Sequence, residues 1–487
     1  MKEKNESPNT NLLYGVSWRL VTPYAAAAPA FSEGADGSLC LLTNGRRDCF
    51  GRLISDKVAI KAGTDYHVQV TAWPEDVRNR DVCLHVLINW YDEHWNEPGY
   101  YPQVTQRDYL RGHIPDCVRG SGDPALSSPA GRLHCGVTGE SNALIFEGHF
   151  TAPSGLILEN NPPVDAIYAE LELVLKWSET GAVRWKNPCL SVRPLEKRNI
   201  RLAALFASPD GLPRGDIMKQ LLARIDEAAT QGPDILCLNE TALSPGMDFI
   251  GSAVAIDGAE VTAICAAAKR HGIHIIAGLA IVQSGMPLGI PGAGSRSAKL
   301  TSSHPLPTYA KRRIASAGGS SQRDEDIIYN MALLIAPDGQ LIGQYRKIHV
   351  PLCEAELGLT PGDEPGIFEI MINGRKIKIG IMICFDAEFP ELPRIMHEHE
   401  VEIVFIPTNG PPELGGRAKD SGAYWVLAAS GGPRVFAPSG DLLAMDKHLC
   451  LYEADLNEQH TQQWIGPGPA HSDVKTALRQ ERRRDVL

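Results

Sequence analysis

The chain contains no run approaching the roughly 20 consecutive apolar residues that a helix needs to cross a bilayer, so a membrane partner is not expected. It has no Cys-x-x-Cys pair. Its 11 cysteines, at 40, 49, 83, 117, 135, 189, 237, 265, 353, 384 and 450, are odd in number and scattered. That pattern argues against a disulfide framework and a structural zinc site, and leaves reduced thiols. There is no basic surplus: 47 Lys and Arg face 58 Asp and Glu, a formal net charge of −11. Nucleic acid is therefore not an expected partner, since nothing displaces its counterions. The Arg-rich segment 479–484 is short and includes Glu481, and reads as a solvated tail or contact strip. The first residues lack the apolar stretch of a signal peptide, so a cytoplasmic location is expected. No internal repeat is visible.

What is present has the balance of a soluble globular protein, 43% hydrophobic and 22% charged. At 487 residues the chain is too long for one ordinary core, and two or three domains are expected. Two periodicities divide it. Up to about residue 195, short alternating runs (66–73, 82–91, 143–150, 168–177 and 185–192) are separated by Gly, Pro and Asp turns. They predict an all-β sandwich. Six of the eight tryptophans (18, 73, 90, 95, 177 and 185) lie here, where core packing is the favoured role and sugar stacking the alternative. From residue 198 strands alternate with helices, which predicts an α/β layered domain over 198–487. Residues 283–322 are rich in Gly, Ser and Pro, and read as either a functional lid or a disordered stretch.

The most informative residue is Cys384. It ends the strand-like run Lys376-Ile377-Lys378-Ile379-Gly380-Ile381-Met382-Ile383 and precedes a turn into a helix opened by Pro390. A thiol at the C-terminal end of a strand sits where α/β proteins place their chemistry, and the amides that follow can face a developing negative charge. Alone, it would read as a buried small apolar residue. Glu240 ends a second apolar run, Ile235-Leu236-Cys237-Leu238. Partial desolvation there would suit it to take a thiol proton; an isolated Glu would more often be a cap or surface acid. Lys347, in Tyr345-Arg346-Lys347, offers the fixed ammonium that a thiolate and an oxyanion need, although a lone Lys is usually exposed.

Together these residues resemble the carbon–nitrogen hydrolase (nitrilase) superfamily. The signatures occur in order: Leu238-Asn239-Glu240, Tyr345-Arg346-Lys347, the Gly-Leu-Thr-Pro-Gly-Asp-Glu of 358–364, and the Gly-Ile-Met-Ile-Cys-Phe-Asp-Ala-Glu-Phe-Pro-Glu of 380–391. Arg417-Ala418 before Gly422-Ala423-Tyr424, the Ala437-Pro438-Ser439-Gly440 turn and the Arg-rich end add to the set. The resemblance implies an α-β-β-α sandwich paired as a homodimer or higher homo-oligomer, with a Glu240–Lys347–Cys384 triad and no metal or organic cofactor. It also implies a second Glu after the Lys. Glu354 is the choice by spacing, with Glu356 as the other candidate and as a substrate contact beside Phe385 and Asp386. Asp420-Ser421 replaces the Glu-Asn of many relatives. The first half resembles, more loosely, the galactose-binding-like jelly-roll modules that precede such domains, through its strand spacing and Val183-Arg184-Trp185-Lys186-Asn187-Pro188. That resemblance implies a carbohydrate ligand or a purely structural role.

Cys384-Phe385-Asp386 is closer to the Cys-aromatic-Asp of amidases and carbamoylases than to the Cys-Trp-Glu of nitrile-specific members. The expected substrate is a small linear amide or N-carbamoyl compound. A nitrile, or a non-catalytic scaffold with a vestigial site, is the alternative.

Overall fold

The computed structural model describes residues 10–96, 104–113, 143–156, 163–246, 248–284, 326–410, 415–458, 462–463, 470–471 and 476–477. The chain divides into one unit of Met1–Lys197 with Asn457–Leu487, and a second of Arg198–Leu456. The segment from Asn457, assigned on sequence to the α/β half, thus belongs to the front unit. Its short strands add to an existing sheet edge, where Ala470 pairs with Gln106, and a two-residue strand carries no periodicity to read. The 283–322 stretch and the Arg-rich end lie almost wholly outside the described residues.

The first unit consists of two antiparallel-rich sheets. One runs in the order Trp18–Val21, Phe50–Ser55, Tyr168–Lys176, Leu84–Tyr91, Gln106–Tyr109, then Ala470–His471 and Gln462–Gln463. The other runs Ala30–Glu33, Leu39–Leu42, Ala182–Val192, Asp65–Glu75, Leu144–Thr151, Arg111–His113. Alternation sets which side chains meet. Leu53, Val86, Trp90, Leu171 and Leu173 share one core with Leu41, Val68, Val70 and Trp185. Trp90 and Trp185 are fully buried, as expected of core aromatics. Trp177, by contrast, is 44% exposed.

The second unit is built on two further sheets. The first has the order Leu341–Arg346, Asp326–Ile335, His274–Ser284, Ile235–Leu238, Asn199–Leu205, Leu449–Asp455. The second has the order Gly366–Ile372, Arg375–Ile381, Ile403–Pro407, Tyr424–Ala428, Arg434–Phe436, Leu442–Met445. Leu202, Ala204, Cys237 and Ile276 of the first share a core with Ile379, Ile381, Phe405 and Val426 of the second. The opposite face of the first sheet is covered by Ile217, Leu221 and Ile225 of the Arg214–Ala229 helix and by Ile264, Ala267 and Ala268 of the Ala259–His271 helix. On the far face of the second sheet, Leu392 and Met396 of the Glu391–Glu398 helix and Ala418 of the Gly415–Ser421 helix lie against Val404, Ile406 and Trp425. Strands buried on both faces explain the near-continuous apolar runs that mark them in the sequence.

The strands that lead into the site each have a parallel neighbour, one inside its sheet and one second from the sheet edge. Ile235–Leu238 lies between Asn199–Leu205 and His274–Ser284. Arg375–Ile381 is parallel to Ile403–Pro407. Gly278 lets two of these backbones meet: a Cβ there would stand 2.5 Å from the Asn239 carbonyl oxygen and 2.9 Å from Glu240 Cα. Gly278→Ala is therefore expected to destabilise the chain by about 1–3 kcal/mol, because no flexible side chain can yield. The midpoint of urea unfolding measures it, and an unchanged midpoint would contradict the close approach.

Candidate active site

Two parallel strands, one in each sheet of the second unit, end in sharp turns at the same place. Glu240 and Thr241 follow Ile235–Leu238, and Cys384 follows Arg375–Ile381. Both turns carry a non-glycine residue in the left-handed region, Thr241 at φ +46° and Cys384 at φ +45°. Each such conformation costs on the order of 1–3 kcal/mol and persists only where its surroundings over-determine it. At Cys384 the surroundings are visible. A 3-10 turn, Cys384–Glu388, leads off from the strand. The fully buried Asp386 carboxylate fastens that turn, accepting from the Ile383 amide at 3.0 Å, the His349 amide at 2.8 Å, His349 Nδ1 at 3.0 Å and the Tyr345 hydroxyl at 2.7 Å. Burial, with the Asp386 carboxylate adding to it, holds the Tyr345 hydroxyl well above its ordinary pKa, so it remains a donor.

Lys347 lies between two carboxylates. It follows the Leu341–Arg346 strand and is 0% exposed. Its Nζ donates to Glu240 Oε1 at 2.9 Å and to Glu354 Oε1 at 2.6 Å. Asn330 Nδ2 donates to the same Glu240 oxygen at 2.8 Å and to Glu354 Oε2 at 3.4 Å. The other Glu240 oxygen accepts the Asn409 amide at 3.2 Å. Burial alone would push the Lys347 ammonium down; the negative charges of Glu240 and Glu354 more than offset this and hold it above the ordinary lysine value. Burial likewise raises the Glu354 carboxyl, with Lys347 opposing.

Cys384 completes the group. Its thiol feels Glu240, Lys347 and the Thr408 side chain. Burial and the Glu240 charge push it up to about 11, against the pull of Lys347 and Thr408. The physical reason is a count of charge. One ammonium faces two carboxylates, and a thiolate would add a third negative charge in a desolvated space. Moving the thiol proton to Glu240 leaves that total unchanged, which makes an internal transfer the cheap route to a thiolate.

The structure brings Glu240, Lys347, Glu354 and Cys384 together. It does not bring Glu356 to them: two residues beyond Glu354, about 200° round the helical turn, it is exposed. Asp386, read on sequence as a substrate contact, has its carboxylate saturated by four donors and is fully buried, so it positions the turn instead. Phe385 is 37% exposed, its ring edge-on to Phe389 at 5.1 Å, and Phe389 stacks on His349 at 4.0 Å. Ser421 is internal, accepting from Trp425 Nε1 at 2.9 Å and donating to the Ala418 carbonyl at 2.9 Å. Sequence reasoning missed Asn330, Thr408 and Asn409. The signals existed: Asn330 is the lone amide in the apolar run Ile327–Ile335, and Thr408-Asn409 follows an apolar strand as Glu240 does. Among the described residues no group of His, Cys, Asp and Glu is arranged to hold a metal ion.

The family model described as carbon–nitrogen hydrolase matches residues 209–286 and 308–445, the stretch that carries all four of these side chains. Over this stretch the chain is similar to the carbon–nitrogen hydrolases. Its relatives include a nitrilase of Pyrococcus abyssi, 35% identical over 115 residues, or 23% of this chain and 42% of that one. Another is the deaminated glutathione amidase of Mus musculus, 31% identical over 180 residues, covering 29% of this chain and 54% of that protein. A solved amidase structure from Nesterenkonia sp. is 17% identical, covering 60% of this chain and 96% of its own at a TM-score of 0.41. The chain spans about half or less of the length of the curated relatives it matches. The front unit lies outside the matched residues.

Two outcomes follow from the geometry. Replacing Lys347 with Met leaves two buried carboxylates facing one another without their cation, and is expected to cost about 3–5 kcal/mol in denaturant unfolding. Alkylation of Cys384 by iodoacetamide, followed by mass spectrometry, is expected to keep rising with pH above 9 as the thiol approaches its midpoint of about 11. In Glu240→Gln the removed negative charge should shift that profile to lower pH; a profile unmoved by the substitution would contradict the coupling.

Proposed function

We propose that the protein hydrolyses a linear amide or N-carbamoyl bond through a thioester on Cys384. The observation that carries the reading is the thiol beside a buried Glu240–Lys347–Glu354 cluster, at the end of a strand and at φ +45°. Glu240 takes the Sγ proton as sulfur bonds to the carbonyl carbon. The oxyanion that forms is met by the Lys347 ammonium and by the Phe385 amide at the start of the helical turn, where amides have no intrahelical acceptor. Collapse breaks the C–N bond, and the amine or ammonia leaves with the proton held by Glu240. Glu240 then takes a proton from water as it attacks the thioester, releasing the acid and restoring the thiol. Glu354 and Asn330 keep Lys347 and Glu240 in register, and Thr408 orients the sulfur. The exposed Phe385 is the group best placed to meet the substrate's body.

The chemistry of the named relatives, amidases and a nitrilase among them, supports the reaction class and does not fix the substrate. We read the front unit as an accessory jelly-roll module and the working particle as a homodimer or larger homo-oligomer. The deciding assay measures ammonia release from panels of amides, ureido acids and nitriles. Turnover is expected on amides or ureido acids, with Cys384→Ala reduced on the order of 10³-fold or more. Equal inertness of wild type and variant across the panel would overturn the proposal, and turnover of nitriles alone would replace amide by nitrile.

A further inference from the structure

The front unit holds a second candidate site, remote in kind from the thiol chemistry. In an ordinary sandwich the outward face of a sheet is polar and wet. Here the outward positions of the Tyr168–Lys176 strand are Glu170, Glu172, Val174 and Lys176, and all four are buried. The inward positions Ala169, Leu171, Leu173 and Leu175 occupy the sandwich core. The strand therefore alternates charge with aliphatics while being covered on both sides.

A cavity of about 340 Å³ opens on this face, at the small end of the range typical of ligand pockets. Four charged side chains line it: Arg52, Arg107, Lys176 and Glu172. Cross-strand register brings them there, with Val174 opposite Arg52 on one side and Glu172 opposite Leu87 on the other. Glu172, 2% exposed, is the sole acid of the lining, and both guanidinium groups share it. Arg52 donates from Nη1 to Oε1 at 3.1 Å, and Arg107 Nη2 lies 3.8 Å from Oε2. Asn89 fixes the arrangement, accepting from Arg107 Nε at 2.8 Å and donating to Glu172 Oε2 at 3.0 Å. A guanidinium carries five N–H donors, so these bonds leave most of the donors of Arg52 and Arg107 without an acceptor among the described residues. The two guanidinium groups of Arg52 and Arg107 against the single Glu172 carboxylate leave a positive surplus in a recessed space. Thr22 and His85 also reach the cavity, and the remainder of the wall is largely apolar, with Phe50, Leu87, Tyr109 and Val174 forming one cluster.

We propose that this cavity binds a small organic carboxylate, its anionic head held by the Arg52 and Arg107 guanidinium groups and its apolar body against Phe50, Leu87 and Tyr109. A planar fork matches a carboxylate with two parallel hydrogen bonds. The apolar wall selects against a bare inorganic anion.

The test is isothermal titration calorimetry of the full chain with phenylacetate, hexanoate, hexanol and inorganic phosphate as probes. Saturable binding of a carboxylate probe is expected, with hexanol and phosphate at least about tenfold weaker. Arg52→Gln and Arg107→Lys should each weaken carboxylate binding by about tenfold or more, the second keeping the charge and losing the fork. Near-UV circular dichroism verifies that each variant is folded, and if Arg52→Gln is not, Arg107→Lys decides. Cys384→Ala should bind as wild type, which separates this site from any product binding at the thiol. Three results would each overturn the proposal: no saturation by either carboxylate up to about 10 mM, wild-type affinity in the folded Arg variants, or phosphate binding as tightly as phenylacetate.

Discussion

The site depends on a single buried ammonium. Lys347 is inaccessible to water and is held at 2.9 and 2.6 Å by two carboxylates. Removing any charged member strands the others in a low-dielectric space, where an uncompensated charge is far costlier than on the surface. This constraint explains the amide of Asn330, which donates to both acids, and the Asn409 backbone N–H on the remaining Glu240 oxygen. It also bears on the resting state of the sulfur, since burial first and the Glu240 charge second hold the Cys384 thiol above its ordinary value.

Holding such a group in place takes two sheets. Glu240, Asn330 and Lys347 come from the first, and Cys384, Thr408 and Asn409 from the second. The apolar core between the sheets fixes their separation, and it is densely packed enough that a single added methyl at Gly278 would meet backbone. The left-handed turns at Thr241 and Cys384 are tolerated because the carboxylate of Asp386 and the side chain of Asn409, which donates to the Thr241 hydroxyl at 3.1 Å, tie them down. Strain, burial and charge pairing are thus parts of one arrangement. The front unit shows the same economy on a different scaffold, where Glu172 is retained inside because two guanidinium groups and an amide satisfy it.

Much of this was legible in the sequence, and for a definite reason. Parallel strands buried on both faces must be apolar along their length, so a polar residue at the end of such a run stands out. Cys384 and Glu240 were found that way, and Lys347 by its place in an ordered set of motifs. Asn330 carried the same kind of mark inside its strand and was overlooked, because a lone amide amid apolar residues has no motif of its own. Glu356 and Asp386 show the opposite error. Proximity in sequence to Glu354 and Cys384 suggested a shared role, while helical rotation turned one outward and hydrogen bonding drew the other inward.

The sequence by itself determined the change of period between the two parts, the alternation of strands and helices in the second part, and the thiol, acid and amine that stand out at its strand ends. These are local properties, written in periodicity and in residue type at strand ends. The tertiary structure decided what no local pattern carries. It returned residues from Asn457 onward to the front unit, made Asp386 an anchor rather than a contact, and gathered the Asn330 and Asn409 amides around Glu240. It also assembled Arg52, Arg107 and Glu172 from three separate strands into one cavity. The physical reason is that burial and cross-sheet distance are set by how the elements pack, and residues far apart in the chain acquire a common environment only once they do.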